Sequence, residues 1–406
     1  MMIQRPERSV PVWEAYDVAV VGGGVAGVAA ALAAARSGAK VCLIEKYAGL
    51  GGLATMGHVI IYLALCDGRG RQISFGIAEE LLKLPMRYST ATMPDVWRSP
   101  ATASRESLAK RRYTLSYDPG PMSIGMDVLL EEAGVEVIYD TVIVDTVRAS
   151  DSSITHLIAE NKSGCGAFAV KSVVDCTGAA DVCHLCGEET ETATKNVRAA
   201  WYYAIDDERK ISLGMACDAY QDNDDDATVM RFDGTDWRSV SRQIIESRKY
   251  ILTDVERWNE RRAKAEQSRL YPFYAPYFPG FRMTRHLVSD YVMRPKDVHV
   301  WHDDAVGMFS DWRKPGPVYS LPIRSLLAVK TPNLSVAGRC LSSTGDTWDI
   351  TRVIPVCAVS GEAAGTASAM AVAARCALRE LPIDRVQARL MERGVVLDPA
   401  LVKQIC

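Results

Sequence analysis

Apolar runs separated by turn signals open the chain. Asp17 to Val21 is a short apolar run of strand type. Val25 to Arg36 is rich in alanine, which suits a closely packed helix, and Ser37-Gly38 ends it. Lys40 to Glu45 reads as a second strand. The alternation returns over residues 121–147, where a helix through Met126 to Ala133 precedes two strand-like runs, 135–139 and 141–147. A hairpin-like stretch follows, with the runs 154–161 and 167–178 separated by Lys162-Ser163-Gly164. Residues 195–325 are richer in aromatics, proline and charge. From Asn333 the strand–turn–helix order resumes, ending in a long small-residue helix from about Val356 to Leu378. The pattern predicts an α/β fold: a parallel sheet with helices plus a small antiparallel β layer, and an inserted α+β domain. Residues 1–75, 116–194 and 326–406 are assigned to one discontinuous domain, and residues 76–115 and 195–325 to a second one inserted into it.

Composition narrows the class. The 406 residues are 48% hydrophobic and 24% charged, as in ordinary globular proteins. A net charge of −3 leaves no broad basic field, so no nucleic-acid partner is expected. No apolar run reads as an uninterrupted membrane span. Met1 to Ala15 carries Arg5, Glu7 and Arg8 and no apolar signal core, so a cytoplasmic protein is expected. Eleven cysteines are scattered along the chain, many inside apolar runs (Cys42, Cys176 and Cys357 among them). An odd number of buried thiols fits a reducing compartment better than a disulfide framework.

Gly22, Gly24 and Gly27 form GxGxxG directly after a strand and directly before a helix. Gly22 permits the tight turn, Gly24 lets the backbone approach a pyrophosphate, and Gly27 lets the helix pack close to the strand. The helix N-terminus, with Val25 and Ala26 in its first turn, offers free N–H groups and the positive end of a dipole. Glu45 lies at the end of the next strand, about twenty residues on, where an acid bonds a ribose hydroxyl. Taken alone the turn is a weak signal; strand, turn, helix, strand and acid together point to a dinucleotide. Lys46 is followed by Gly49 and then by Gly51-Gly52-Leu53-Ala54-Thr55. This second glycine pair gives backbone access beside a ribityl chain or flavin, for which a simple NAD-binding unit has no need.

These motifs resemble the FAD-dependent oxidoreductases of the glutathione-reductase-like type, a family that shares features with the fumarate reductase flavoprotein fold. The resemblance implies that the discontinuous domain (1–75, 116–194 and 326–406) is a Rossmann-like FAD-binding domain and that 76–115 with 195–325 is a substrate or cap domain; it covers most of the chain, most thinly over 76–115 and 195–270. Val10-Pro11-Val12 resembles the family's lead-in to the first strand. Tyr117-Asp118-Pro119 and the helix and strands after it resemble the segment whose backbone, near Val142, holds the adenine. Val174-Asp175-Cys176-Thr177-Gly178 matches the family's ATG motif with Cys176 in the alanine place, and Asp181 follows three residues later. The run Asn333 to Cys340, then Arg352, then Gly361-Glu362-Ala363-Ala364-Gly365, resembles the family's C-terminal end. The resemblance implies that Gly338 and Arg339 lie along the FAD. It also implies that the last helix, with Ala363, aims its N-terminus at the flavin pyrimidine, where negative charge collects on reduction.

A flavin accepts hydride itself, so the protein need only place the substrate and handle a proton. Arg352, Arg285 and His286 are the catalytic candidates, and Arg282 adds to the cationic segment. The family's corresponding stretch is arginine-rich with a cysteine, and Phe281 stands in that cysteine's place here. Tyr319, Arg324 and His302 are weaker candidates, and His58 is placed to face the ring. Each arginine has an alternative use in a salt bridge or at a helix C-terminus. Cys183-His184-Leu185-Cys186 lacks the second CxxC of a four-cysteine site, so these read as core cysteines and no metal is expected. The run Asp222 to Asp226 lacks the glycine and terminal glutamate of a calcium loop and reads as solvated. The expected function is hydride transfer between a small organic substrate and FAD. The competing readings are an NAD-linked dehydrogenase using the single GxGxxG, and a non-catalytic FAD-binding redox sensor. Oxygen, a quinone, a carrier protein and nicotinamide all stand open as the electron acceptor.

Overall fold

The computed structural model describes residue 3, residues 9–218 and residues 229–404. Asp222 to Asp226, Arg5, Glu7 and Arg8 lie outside the described residues.

The main sheet holds β1 (Val12–Val21), β2 (Val41–Ile44), β3 (Glu136–Ile138), β4 (Val142–Arg148), β5 (Ile154–Asn161), β6 (Gly164–Asp175) and β7 (Leu334–Val336). Its order is β3-β2-β1-β6-β5-β4, with β7 also on β6. Pairing is parallel from β3 through β2 and β1 to β6, and from β6 to β7. β6 serves two layers. Gly164 to Ala169 pair antiparallel with β5, whereas Val173 to Asp175 pair with β7. β4 and β5 thus form the antiparallel layer that the hairpin pattern predicts.

Val18 to Val21 and all of β2 are buried, as expected of strands covered on both faces. β1 begins at Val12, five residues before the apolar run. Its amphipathic start becomes strand by pairing with β6, with a register irregularity at Val12 and Glu14.

α1 (Val25–Arg36) and the long helix that holds Gly361 and Gly365 cross at contact distance. A Cβ on Gly361 would lie 2.2 Å from the Ala26 carbonyl oxygen, and one on Gly365 would lie 2.0 Å from that of Ala30. Only glycine admits that approach. α2 (Pro119–Glu132) starts a full turn and more before the predicted Met126. Its prolines sit in the first turn, where a missing N–H costs nothing. α3 (Ile354–Ala374) ends four residues short of Leu378, because Arg375 turns left-handed at φ 55°. By length and composition α3 is apolar enough to cross a bilayer, contrary to the expectation from the sequence. It packs instead against α1 and the sheet, with 78% of its apolar window buried, which accounts for its hydropathy.

A second sheet lies over the first unit. Its strands are Ile211–Cys217, Ala199–Asp206 and Leu270–Tyr274, in that order. The helix Trp237–Lys264 covers one face of it. That helix buries every fourth residue from Gln243 through Ser247, Ile251 and Val255 to Asn259. Ile251 and Val255 meet Ala200, Tyr202, Ala204 and Ala216 in a small separate core. Asn259 pins the edge strand by bonding both the N–H and the carbonyl of Leu270, at 2.7 and 3.0 Å. The opposite face turns Trp201, Tyr203 and Leu213 toward the main core. Ile77, Leu81, Leu287, Met293 and Phe309 belong to that main core as well.

Candidate functional site

The loops that follow β1, β2, β6 and β7 converge on one cavity. Gly22 holds φ +101° and donates its N–H to the Ile44 carbonyl at 2.8 Å, which ties the turn to β2. A Cβ there would sit 2.5 Å from the Cys176 carbonyl oxygen. A Cβ on Gly24 would meet no protein atom within 4 Å, because Gly24 faces the cavity. Val25 and Ala26 line the cavity beside it. The N-terminus of α1 has no side-chain cap and no acidic residue in its first turn. Such an end leaves amide hydrogens and positive potential for an anion.

Glu45 is buried, and its two carboxylate oxygens accept the Gly23 N–H at 2.6 Å and the Tyr47 N–H at 2.9 Å. Burial holds its carboxyl above the ordinary range, and the two N–H groups and Lys46 oppose that rise. Lys46, Gly51, Gly52, Leu53 and Ala54 continue the wall. Gly51, at φ +96°, donates its N–H to the Gly23 carbonyl at 2.8 Å and so joins the two glycine segments. Thr55 does not reach the cavity. Its hydroxyl donates to the Leu50 carbonyl and braces the glycine loop from behind. Val142 lines the far end with Thr141 and Ile143.

Cys176, Thr177, Gly178 and Asp181 line the side beneath β6. Cys340 holds this loop, its sulfur accepting the Gly178 and Ala180 N–H groups at 3.1 and 3.2 Å. Gly338, Arg339 and Arg352 line the opposite end, together with Ile354 and Cys357 at the start of α3. That helix start also lacks a side-chain cap. Arg339 donates to the Phe281 carbonyl, and its own carbonyl accepts the Trp348 indole N–H at 3.1 Å. Arg352 donates to Asp349 at 2.9 Å. Burial pushes the Cys357 thiol up to about 11, with Arg339 and Arg352 opposing.

Several predicted residues stand elsewhere. Ala363 is nine residues inside α3 and fully buried; the helix meets the cavity at Ile354 and Cys357. Arg285 lies behind the loop after β6, donating to the Ala179 carbonyl at 2.8 Å and to Asp181 at 2.9 Å. It positions Asp181 and does not itself line the cavity. His286 is fully buried, with its Nδ1 2.8 Å from the Leu287 carbonyl and its ring edge-on to Trp348 at 4.5 Å. Burial pushes its pKa down. Arg282 reaches the Cys217 sulfur at 3.6 Å. His302 is absorbed by Tyr291 and Ser320, each 2.9 Å away, Arg324 pairs with Asp304 at 3.1 Å, and Tyr319 stacks on Phe309. Cys183 and Cys186 are buried. Among the described residues no group of three or more metal-ligating side chains is set to hold a metal.

Phe278 lines the cavity and was not predicted. It sits among closely spaced aromatics from Tyr271 to Phe281, and nothing in that spacing marks one of them. Ile354 and Cys357 belong to the helix start, which the sequence pattern places two residues too late.

A glycine turn feeding an uncapped helix, an acid at the end of the next strand and a second glycine loop together define a dinucleotide-binding fold. The chain belongs to the FAD dependent oxidoreductase family, whose sequence profile matches residues 17–201 and 190–390. It is therefore an FAD-dependent oxidoreductase and uses FAD as its cofactor. A 71-residue stretch is 37% identical to the thioredoxin reductase of Ureaplasma parvum serovar 3; the match covers 18% of this chain and 23% of that protein. Among solved structures the chain is similar to a geranylgeranyl bacteriochlorophyll reductase-like protein of Thermoplasma acidophilum, with 14% identity and a TM-score of 0.47. That match covers 96% of this chain and 90% of the other. It is also similar to p-nitrophenol 4-monooxygenase of Pseudomonas putida DLL-E4, at 13% identity over 94% of this chain and 85% of that one, with a TM-score of 0.47.

The residues present fit FAD. Gly24 leaves open the space that a side chain would fill, Glu45 offers a fixed carboxylate, and two uncapped helix starts bound the cavity.

Proposed function

We propose that this enzyme transfers a hydride between a small organic substrate and the flavin of FAD. The carrying observation is that Arg352 and the uncapped start of α3 border the same cavity as the second glycine loop. In this reading Gly24, Val25 and Ala26 receive the pyrophosphate, Glu45 a ribose hydroxyl, and the backbone near Val142 the adenine. Gly51 to Ala54, with Gly338 and Arg339, run along the rest of the cofactor. When bound, the flavin would supply the two-electron chemistry, and the positive end of the α3 dipole would favour its reduced, anionic form. Arg352, steered by Asp349, adds positive charge at that end.

Residues 1–75, 116–194 and 326–406 then carry the cofactor, while 76–115 and 195–325 supply the substrate side. A cytoplasmic setting is supported by the ten cysteines among the described residues, all of them free thiols. The test is anaerobic mixing of the FAD-loaded enzyme with a panel of alcohols, amines and carbonyl compounds while the flavin band is followed. Bleaching by at least one class supports hydride transfer. Bleaching by dithionite alone opposes it.

A further inference from the structure

Three buried polar atoms without a partner belong to neighbouring residues beside the glycine-loop end of the cavity. They are the Nδ1 of His58, the indole Nε1 of Trp201 and the hydroxyl of Tyr203. His58 follows the cavity wall closely: its N–H donates to the Thr55 carbonyl at 3.0 Å, and the next N–H, of Val59, donates to the carbonyl of cavity-lining Leu53 at 3.0 Å. Trp201 and Tyr203 come from the face of the overlying sheet that is turned away from its helix. The two elements meet at His58, whose ring lies 5.3 Å from that of Tyr203 and stacks on Tyr274 at 4.9 Å. Tyr274 touches Tyr277 edge-on, and both are substantially exposed at the outer side of the cluster. Four residues past Tyr274, Phe278 lines the cavity itself.

A buried polar atom left unbonded is destabilising, because it has given up its hydrogen bonds to water and gained none in return. Native proteins rarely leave one, and here adjacent residues leave a set. The His58 backbone sharpens the point. It is held at φ +57°, in the left-handed region that is uncommon for residues other than glycine, although histidine is among the side chains enriched there. Burial pushes the His58 pKa down, with the Trp201 backbone opposing, so the ring is neutral at pH 7 and one of its nitrogens donates while the other accepts. Trp201 can only donate, and Tyr203 donates or accepts.

We propose that His58, Trp201 and Tyr203 form the substrate subsite, and that it takes a planar aromatic or conjugated ring bearing a hydroxyl group. The hydroxyl donates to His58 Nδ1. Its oxygen, or a second oxygen on the ring, accepts from the Trp201 indole or the Tyr203 hydroxyl. The rings of Tyr203, Tyr274 and Phe278 provide the flat apolar faces that such a ligand stacks on. The assignment rests on the reading of the cavity as the flavin site, and it names the substrate class for that site.

The test titrates the FAD-loaded enzyme with phenol and, separately, with toluene, reading the perturbation of the flavin absorption spectrum. The two probes match in shape and differ in the hydroxyl. Phenol is expected to bind saturably and at least about tenfold more tightly than toluene. His58→Asn, which suits the left-handed backbone but has a shorter side chain, should abolish that preference, and Tyr203→Phe should reduce it. FAD content and reduction by dithionite should be unchanged in both. Equal binding of the two probes, no saturable binding of either, or a phenol preference that survives both substitutions would overturn the subsite. Hydride transfer fails separately, when no substrate class bleaches the flavin even though phenol binds selectively.

Discussion

The Gly51 N–H donates to the Gly23 carbonyl at 2.8 Å, so the second glycine loop is fastened to the first. Gly24 and Gly51 run side by side as a parallel bridge across this junction. The two loops therefore meet backbone to backbone in the cavity wall, between the start of α1 and residues Gly52 to Ala54. Packing within the second loop itself requires glycine at Gly51, where a Cβ would lie 2.5 Å from the Thr55 side chain, whereas a Cβ on Gly24 would meet no protein atom within 4 Å.

Gly24→Ala separates folding from cofactor binding. Gly24 has φ −66°, which alanine adopts without strain, and the new Cβ meets no protein atom within 4 Å. The variant should unfold at a temperature close to that of the apo wild type. Its FAD affinity should fall by about tenfold or more, equivalent to about 1.4 kcal/mol. Titration of apoprotein with FAD, followed by quenching of flavin fluorescence, reads the affinity. Unchanged affinity would remove the pyrophosphate from this turn.

Glu45→Gln tests the ribose acid by a finer change. The carboxylate uses one oxygen for the Gly23 N–H and the other for the Tyr47 N–H. Glutamine has a single acceptor oxygen, so one of these amides loses its partner. A cost of about 1–3 kcal/mol is expected, divided between stability and FAD binding. Thermal melts with and without FAD separate the two shares. A variant matching wild type in both would mean that the bonds at Glu45 contribute nothing.

Arg352→Ala should leave FAD bound and slow the reductive half-reaction by roughly a hundredfold, the scale for loss of one preorganised charge at a reacting centre. Stopped-flow reduction by a substrate found in the bleaching screen measures it. If the rate is unchanged, Arg352 serves only as the ion-pair partner of Asp349.

Glu362 gives the fold a pH dependence. It is buried inside α3, accepts the Ile77 N–H at 2.9 Å, and burial pushes its pKa up from 4.5 to about 7. Glu80 adds to the rise, while Arg36 and Arg393 oppose it. The folded state therefore holds this proton to higher pH than the unfolded chain does. Stability from this group is complete below about 4.5 and is lost as pH rises to about 7, an effect on the order of 3 kcal/mol. Glu362→Gln keeps an acceptor for Ile77 and removes the titration. Its melting temperature should vary less than that of wild type between those two values. Identical pH profiles would show that Glu362 is not titrating there.

The legible parts of this protein are those whose signal is local. β1, the turn, α1, β2 and Glu45 lie within thirty-five residues of one another, and each step follows from the period and residue type of its own segment. The loop after β6 and the run through Gly338 to Arg352 were found through resemblance, and most of their named residues line the cavity. What the sequence hid depends on which way a side chain points after packing. Thr55 and Gly52 are three residues apart, yet one braces the loop and the other lines the wall. Ala363 lies in the right helix at the wrong depth, because helical phase reveals a face but not which end meets a ligand. Arg285 and His286 carry suitable chemistry, but a guanidinium taken up by Ala179 and Asp181 looks the same in sequence as a free one. Phe278 and the sheet face bearing Trp201 and Tyr203 are set by pairing between strands more than sixty residues apart, which no local pattern encodes.

Hydride transfer at this cavity would show itself as a primary isotope effect on flavin reduction. A substrate that bleaches the flavin anaerobically is prepared with deuterium at the carbon that loses hydrogen, and reduction is followed by stopped flow. The deuterated substrate should reduce the flavin more slowly while binding with unchanged affinity. Equal rates, with the chemical step shown to be rate-limiting, would contradict it.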